Sequence, residues 1–240
     1  MMKNIHGKTT DKTLQIWKIH LDDPNAAPDQ LFTLLDEDEK KNALHFRFEK
    51  HRRRYITSHA AMRNILAEQL NIPIPQLNIR LHENGKPYLL TNPLHFNLSH
   101  SEELAVLAIS FQGDVGIDVE HIKPDVNALE ITKRFFHPLE FEQLQKIPPE
   151  KRQDYFYLCW TGKEAYVKTK GLGIANHLKA FALDFTNMNA LKIIFANEEV
   201  KEFKDWHVQT FQPSNHYLST IVSTITPSEV IFHNYHFTTK

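Results

Sequence analysis

The chain has 240 residues, 41% apolar and 24% charged. That balance belongs to a folded globular protein and excludes collagen-like, mucin-like and wholly disordered chains. Lys plus Arg number 28 against 29 for Asp plus Glu, a formal charge of −1, whereas a non-specific nucleic-acid binder carries a basic excess. Any anion site must therefore be local.

The single cysteine, Cys159, excludes an internal disulfide and a thiol-rich metal site. The histidines are scattered and lack the H-E-x-x-H spacing of a zinc helix. Met1 to Thr13 is polar with no apolar h-region, so no secretory signal is expected. No run approaches the roughly 20 apolar residues that span a bilayer. The expectation is a soluble cytoplasmic protein without membrane or nucleic-acid partners.

In chain order, Leu14–Leu21 predicts a strand, broken between Pro24 and Pro28. Leu31–Leu35 and Glu37–Phe48 read as short helices. Arg52–Leu70 has apolar residues at Tyr55, Ile56, Ala60, Met62, Leu66 and Leu70, the spacing of a long helix stopped before Pro73. Strands Asn78–His82 and Pro87–Leu90 flank the turn pair Asn84–Gly85. A second pair, Leu94–Leu98 and Leu104–Phe111, encloses the polar stretch Ser99–Glu103, read as a loop.

The order then repeats. Strand Val115–Glu120 leads to helices at Leu129–Phe135, Pro138–Lys146 and Arg152–Thr169. Strand-like segments follow at Phe181–Phe185, Leu191–Phe195, Trp206–Thr210, Tyr217–Ser223 and Val230–Phe237. Ile16 and Ile117, Glu39 and Glu140, and Arg63 and Glu164 each lie 101 positions apart. The sequence predicts an α+β fold of two similar halves related by a pseudo-twofold, each an antiparallel sheet on a long helix. They span 1–112 and 113–240, and the cleft between them is a natural ligand site.

Four constellations carry chemistry. On strand Gly116-Ile117-Asp118-Val119-Glu120, alternation puts Asp118 and Glu120 on one face, rooted about 7 Å apart. They suit a hard cation such as Mg²⁺, or simply solvated acids. In Trp160-Thr161-Gly162-Lys163-Glu164-Ala165, Phe156, Cys159, Trp160 and Val167 form the buried stripe. Glu164 sits at its edge with Lys168 one turn on; an ordinary surface pair would look the same. Gly162 weakens the helix, which suggests a close neighbour there. Gly171-Leu172-Gly173 terminates the helix as a mobile loop and does not form a phosphate loop.

In Phe96-Asn97-Leu98-Ser99-His100-Ser101, at the tip of a strand pair, hydroxyl, imidazole and backbone groups can cradle a phosphate, or make an ordinary polar turn. Adjacent Ser99 and His100 point apart, and no Gly-x-Ser-x-Gly elbow supports a hydrolase. Of the consecutive Arg52, Arg53 and Arg54, at most one or two can serve a single site, and a solvated face is the common outcome.

Together and in order, Arg54, Gly85-Lys86-Pro87, Phe96–Ser101, Gly116–Glu120, Phe135-Phe136 with Glu140, and Trp160-x-x-Lys163-Glu164-Ala165 with Lys168 resemble the signature series of the 4′-phosphopantetheinyl transferases. The resemblance is to the Sfp type, the duplicated single-chain subfamily, and covers residues 14 to 225. One departure is Glu102, where many members have glycine.

The resemblance implies transfer of 4′-phosphopantetheine from coenzyme A to a carrier-protein serine, releasing adenosine 3′,5′-bisphosphate. It assigns Asp118, Glu120 and Glu164 to Mg²⁺, Glu164 also as general base, and Lys168 to the bridging and leaving phosphate oxygens. Arg54, Lys86, Ser99 and His100, joined by Lys41, would hold the nucleotide and its 3′-phosphate, Lys86 partly through main chain. No motif reaches the thiol end, so acylated coenzyme A should be tolerated. The expected partner is an acidic acyl, peptidyl or polyketide carrier protein, and the expected state is a monomer. Two other readings remain: a Mg²⁺-dependent phosphodiesterase or nuclease, and a non-catalytic carrier-protein or nucleotide-binding module.

Overall fold

The computed structural model describes residues 12–91, 94–172, 177–187, 191–196 and 206–237. Gly173 of the expected loop, and most of the polar segment before Thr13, lie outside them. The first half runs β1 (Thr13–His20), α1 (Pro28–Phe32), α2 (Glu37–His45), α3 (Glu49–Leu70), β2 (Ile79–Leu81), β3 (Pro87–Leu89), β4 (His95–Ser101) and β5 (Leu104–Ser110). The second runs β6 (Val115–His121), α4 (Ala128–Phe135), α5 (Pro138–Lys146), α6 (Arg152–Lys170), β7 (Phe181–Asp184), β8 (Lys192–Ala196), β9 (His207–Phe211) and β10 (Tyr217–Ser223). A last strand, β11 (Glu229–Tyr235), closes the chain.

Two larger sheets have the orders β11-β1-β5-β4 and β6-β10-β9, with hairpins β2-β3 and β7-β8 beside them. The two halves are thus each a sheet on a long helix, as expected. One strand departs from that plan: β11 leaves the second half and pairs parallel with β1, Leu14 opposite Val230. The first sheet is therefore mixed, and the segment 113–240 is not self-contained. Local patterning marks β11 as a strand but says nothing about which distant edge it will cover.

Helix α3 packs Ile56, Ala60, Ala61, Ile65 and Leu66 onto the first sheet. Asn71, in the left-handed conformation at φ 53°, ends it before Pro73. Helix α6 builds the second core with Phe156, Leu158, Cys159 and Val167. A third cluster lies where the sheets face each other, joining Leu14, Ile16, Leu104, Val106 and Ala108 to Val115, Ile117, Val119 and Ile221. This explains the unbroken apolar run of β5: Ala105, Leu107 and Ile109 enter the first core while the alternate residues enter the third. Strand β6 is held against α6 by Gly116, where a Cβ would fall 2.2 Å from Ala165 O.

The expected loop Ser99–Glu103 is mostly strand. β4 continues through Ser101, and only Glu102 and Glu103 make the turn, since Ser101 pairs with Leu104. Polar residues normally signal a turn, but here the alternate ones, Asn97, Ser99 and Ser101, find hydrogen-bond partners on β6. Glu102 takes the turn's left-handed position at φ 49°, a conformation that favours glycine.

The duplication is also legible in hydrogen bonds. Glu39 closes a capping box at the start of α2 and accepts from Arg63 of α3. Glu140 does the same at the start of α5 and accepts from Lys163 of α6. The internal equivalent of Arg63 is thus Lys163, one residue from the Glu164 expected by spacing alone.

Candidate active site

Asp118 projects from β6 and is almost completely buried. Lys168 reaches it from α6, Nζ to Oδ1 at 2.5 Å, and touches Glu164 one turn back at 3.4 Å. Ser99 on β4 donates to the same Asp118 oxygen at 2.9 Å and accepts from Lys168 at 3.1 Å. Glu120, two residues along β6, accepts from Ser101 at 2.8 Å. Residues from three elements of both halves thus meet at the junction of the sheets.

The carboxylates repel one another. Burial, then the Asp118 charge, pushes Glu164 up to about 7. Burial and Asp118 likewise raise Glu120. Burial alone would lower Lys168, but the Asp118 and Glu164 charges outweigh it and hold the ammonium above its usual range.

Asp118 Oδ2 is buried and makes no hydrogen bond. Among the described residues no three His, Cys, Asp or Glu side chains are gathered as a ready cage. Lys168 sits against Asp118 and Glu164, and Glu120 is turned to Ser101. The donor set nevertheless fits a hard divalent ion. All three acids offer oxygen, one oxygen is orphaned, and their mutual repulsion would be relieved by added positive charge.

His100 points to the face of β4 opposite Ser99, where a cavity of about 740 Å³ is lined by Tyr55, His59, Gly85, Pro87 and Tyr88. His100 keeps an exposed edge, and partial desolvation, then the Lys168 and Arg54 charges, lowers its pKa. Behind it a smaller cavity of about 250 Å³ holds Arg54 and Ser101. Arg54 is not free: Asp22 binds it at 2.9 and 2.5 Å, Glu102 at 3.3 Å, and Glu103 lies 3.7 Å away.

Lys86 turns its ammonium from the larger cavity to the carbonyls of Val115 and Thr169, at 3.1 and 2.9 Å, bridging the halves. Gly85 and Pro87 beside it do line that cavity. Lys41 is exposed, pairs with Asp38 at 3.1 Å, and is not brought to the cavity. Gly162 is explained by Leu191, whose side chain would lie 2.5 Å from a Cβ there. Burial raises the Cys159 thiol, which is a core group.

Ser101, in sequence one hydroxyl of a possible phosphate cradle, and Asn97 instead meet β6, and Asp22, which carries no sequence signal, binds Arg54. The period-two polar series 97, 99, 101 was the available signal for the first two. Asp22 lies 32 residues from Arg54, and no local pattern links them.

The duplicated α+β fold thus carries an acid cluster and a lysine at its internal junction, and comparison with known proteins gives the family. The model described as the 4′-phosphopantetheinyl transferase superfamily matches residues 114–222, and that described as 4′-phosphopantetheinyl transferase, N-terminal, matches residues 25–112. The chain is 38% identical to the 4′-phosphopantetheinyl transferase HetI of Nostoc, over 68% of this chain and 70% of that one. It is 28% identical to the transferase Sfp of Bacillus subtilis, over 71% and 76%. It is 30% identical to the human L-aminoadipate-semialdehyde dehydrogenase-phosphopantetheinyl transferase, over 71% and 59%.

The chain belongs to the 4′-phosphopantetheinyl transferase superfamily, in its two-half Sfp type. It is an enzyme that moves 4′-phosphopantetheine from coenzyme A to carrier proteins. No described helix is long and apolar enough to cross a membrane.

Proposed function

We propose that the transfer runs at the Asp118–Glu120–Glu164 cluster with Mg²⁺ held by those three acids. The observation that carries this is the buried, unpartnered Asp118 Oδ2 beside two carboxylates whose pKa values are raised. When bound, Mg²⁺ would neutralise the pyrophosphate that is split. Lys168 lies within reach of the same phosphates and would take up the charge that builds on the leaving oxygen. Bound Mg²⁺ would lower Glu164 from the value of about 7 that it has in the metal-free chain, leaving a weak but well-placed base to accept the proton of the incoming serine, directly or through a water.

The half up to Gln112 supplies the nucleotide contacts and the half from Gly113 supplies the acids. His100, with the backbone around Lys86, lines the larger cavity and suits the nucleotide; Arg54 suits the 3′-phosphate once Glu102 moves aside. Ser99 acts next to both. Adenosine 3′,5′-bisphosphate leaves. The acceptor is a serine of an acidic carrier protein, and acylated coenzyme A is accepted because no assigned residue grips the thiol end. One chain builds the whole cleft, which supports a monomer, and a cytoplasmic location follows from the substrates.

The test is intact-mass analysis of an apo carrier protein incubated with coenzyme A and enzyme, with and without Mg²⁺. Adduct formation that requires Mg²⁺ supports the reading. Hydrolysis of coenzyme A without adduct would favour a phosphodiesterase, and neither product would favour a binding module.

A further inference from the structure

Strands β4 and β6 lie side by side, yet each ends its own sheet and they share no backbone ladder. On one edge β6 pairs antiparallel with β10. In such a pair only alternate residues turn their N–H groups to the partner strand. The N–H groups of Ile117, Val119 and His121 face β4 instead. Three β4 side chains, spaced by two, receive them: Asn97 Oδ1 at 2.8 Å, Ser99 Oγ at 3.4 Å and Ser101 Oγ at 3.1 Å. Each acceptor lies 20 positions before its donor, so the register is constant along the strands.

The two hydroxyls do a second thing. Ser99 donates to Asp118 Oδ1 at 2.9 Å, and Ser101 donates to Glu120 Oε2 at 2.8 Å. A hydroxyl has one proton and two lone pairs. With a lone pair fixed by the strand's own N–H, its proton is aimed at the carboxylate of the preceding β6 residue. The backbone of β6 thereby orients its own acids, through β4.

We propose that Ser101 is a positioning residue for the metal site: clamped by the His121 N–H, its hydroxyl holds the Glu120 carboxylate in place as Ser99 holds Asp118. Ser101 is assigned no contact with coenzyme A or with the reacting atoms. Because its partner is a carboxylate, the bond is charge-assisted and stronger than a neutral one. The proposal rests on the reading of Glu120 as a metal ligand.

The test is Mn²⁺ binding to the enzyme–coenzyme A complex, without carrier protein, followed by the electron paramagnetic resonance of free Mn²⁺. Wild type is compared with Ser101→Thr, Ser101→Val and Glu120→Gln, each with its thermal midpoint. Thr and Val have the same shape, suit a strand, and differ only in the hydroxyl. The expected result is about tenfold weaker Mn²⁺ binding in Ser101→Val and a change within about twofold in Ser101→Thr, the scale of one hydrogen bond to a charged group. Val and Thr variants that bind alike, while Glu120→Gln binds more weakly, would overturn the positioning role alone. A Val variant that fails to fold where Thr folds would reduce Ser101 to a strand clamp and overturn it too. Unchanged binding in Glu120→Gln would overturn the metal reading beneath it.

Discussion

Lys163 and Glu140 form an ion pair at 2.7 Å in which both side chains are fully buried. The lysine also donates to Phe181 O and lies 4.1 Å from the centre of the Phe181 ring. The glutamate accepts from Leu183 N–H and from His137 N–H at the start of α5. One pair therefore ties α5, α6 and β7, and it stands immediately before Glu164 on α6. Arg63 and Glu39 occupy the corresponding place in the first half.

Removing one partner leaves an uncompensated buried charge. Lys163→Met should destabilise the protein by about 3–5 kcal/mol. The double variant Lys163→Met, Glu140→Leu should recover a substantial part of that loss. Urea unfolding of wild type, both single variants and the double variant checks it, and additive losses would show that the two groups act independently.

Arg54 and Arg53 are neighbours in sequence but not in environment. Arg54 lines the small cavity with His100 and Ser101, while Arg53 faces another beside Asp23 and Pro24. Arg54→Ala should narrow the preference for coenzyme A over dephospho-coenzyme A by roughly tenfold, the scale of one charge-assisted bond. Arg53→Ala should leave it unchanged. Glu102→Gly, which frees Arg54 of one carboxylate and suits the left-handed turn, should widen the preference. Specificity constants for both donors decide the matter.

His59 gives the stability profile a recognisable slope. Burial chiefly lowers its pKa from 6.5 to about 4. Below the ordinary value the unfolded chain binds more protons, so this contribution falls as pH drops from 6.5 to about 4. Glu164, raised from 4.5 to about 7, has the opposite sign: its contribution is present at low pH and is lost as pH rises through 7. His59→Gln removes the first effect and keeps the second. The stability of wild type relative to the variant should drop by up to about 3 kcal/mol between pH 7 and 4, and stay flat above 7. Denaturant unfolding across that range measures the difference.

Gly116 sets how closely α6 approaches the acids. An added methyl would lie 2.2 Å from Ala165 O and 2.4 Å from Thr169 N, both backbone atoms that cannot yield cheaply. Gly116→Ala should cost about 1–3 kcal/mol. By shifting Glu164 and Lys168 against Asp118, it should lower kcat more than it raises the KM for coenzyme A. Steady-state kinetics at saturating carrier protein would show this, and an unchanged kcat would mean the site tolerates the shift.

Local chemistry made much of this molecule readable. The pattern from Pro138 to Lys146 marks α5 at its full observed range, and that from Arg152 to Thr169 marks α6 to within one residue. Alternation placed Asp118 and Glu120 on one face of β6. What local patterns do not encode is the choice of distant partner. Lys163 is buried because Glu140 lies across from it, β4 runs on through Ser101 because β6 offers its N–H groups, and β11 crosses to β1. Arg54 could be singled out by family resemblance, but its enclosure by Asp22, Glu102 and Glu103 is a product of the fold. Lys86 likewise carries a signature residue whose ammonium is spent on joining the halves.

Three carboxylates from β6 and α6 are proposed to act as one metal site for phosphopantetheine transfer. Single-turnover loading of an apo carrier protein by Asp118→Asn, Glu120→Gln and Glu164→Gln, at saturating coenzyme A and Mg²⁺, tests it most directly. Each variant keeps the size of the side chain and removes one charge. The predicted result is a loss of at least about a hundredfold in each, with unfolding midpoints at or above wild type for Glu164→Gln, which relieves repulsion. Any one of the three loading the carrier at near wild-type rate would contradict the three-acid site.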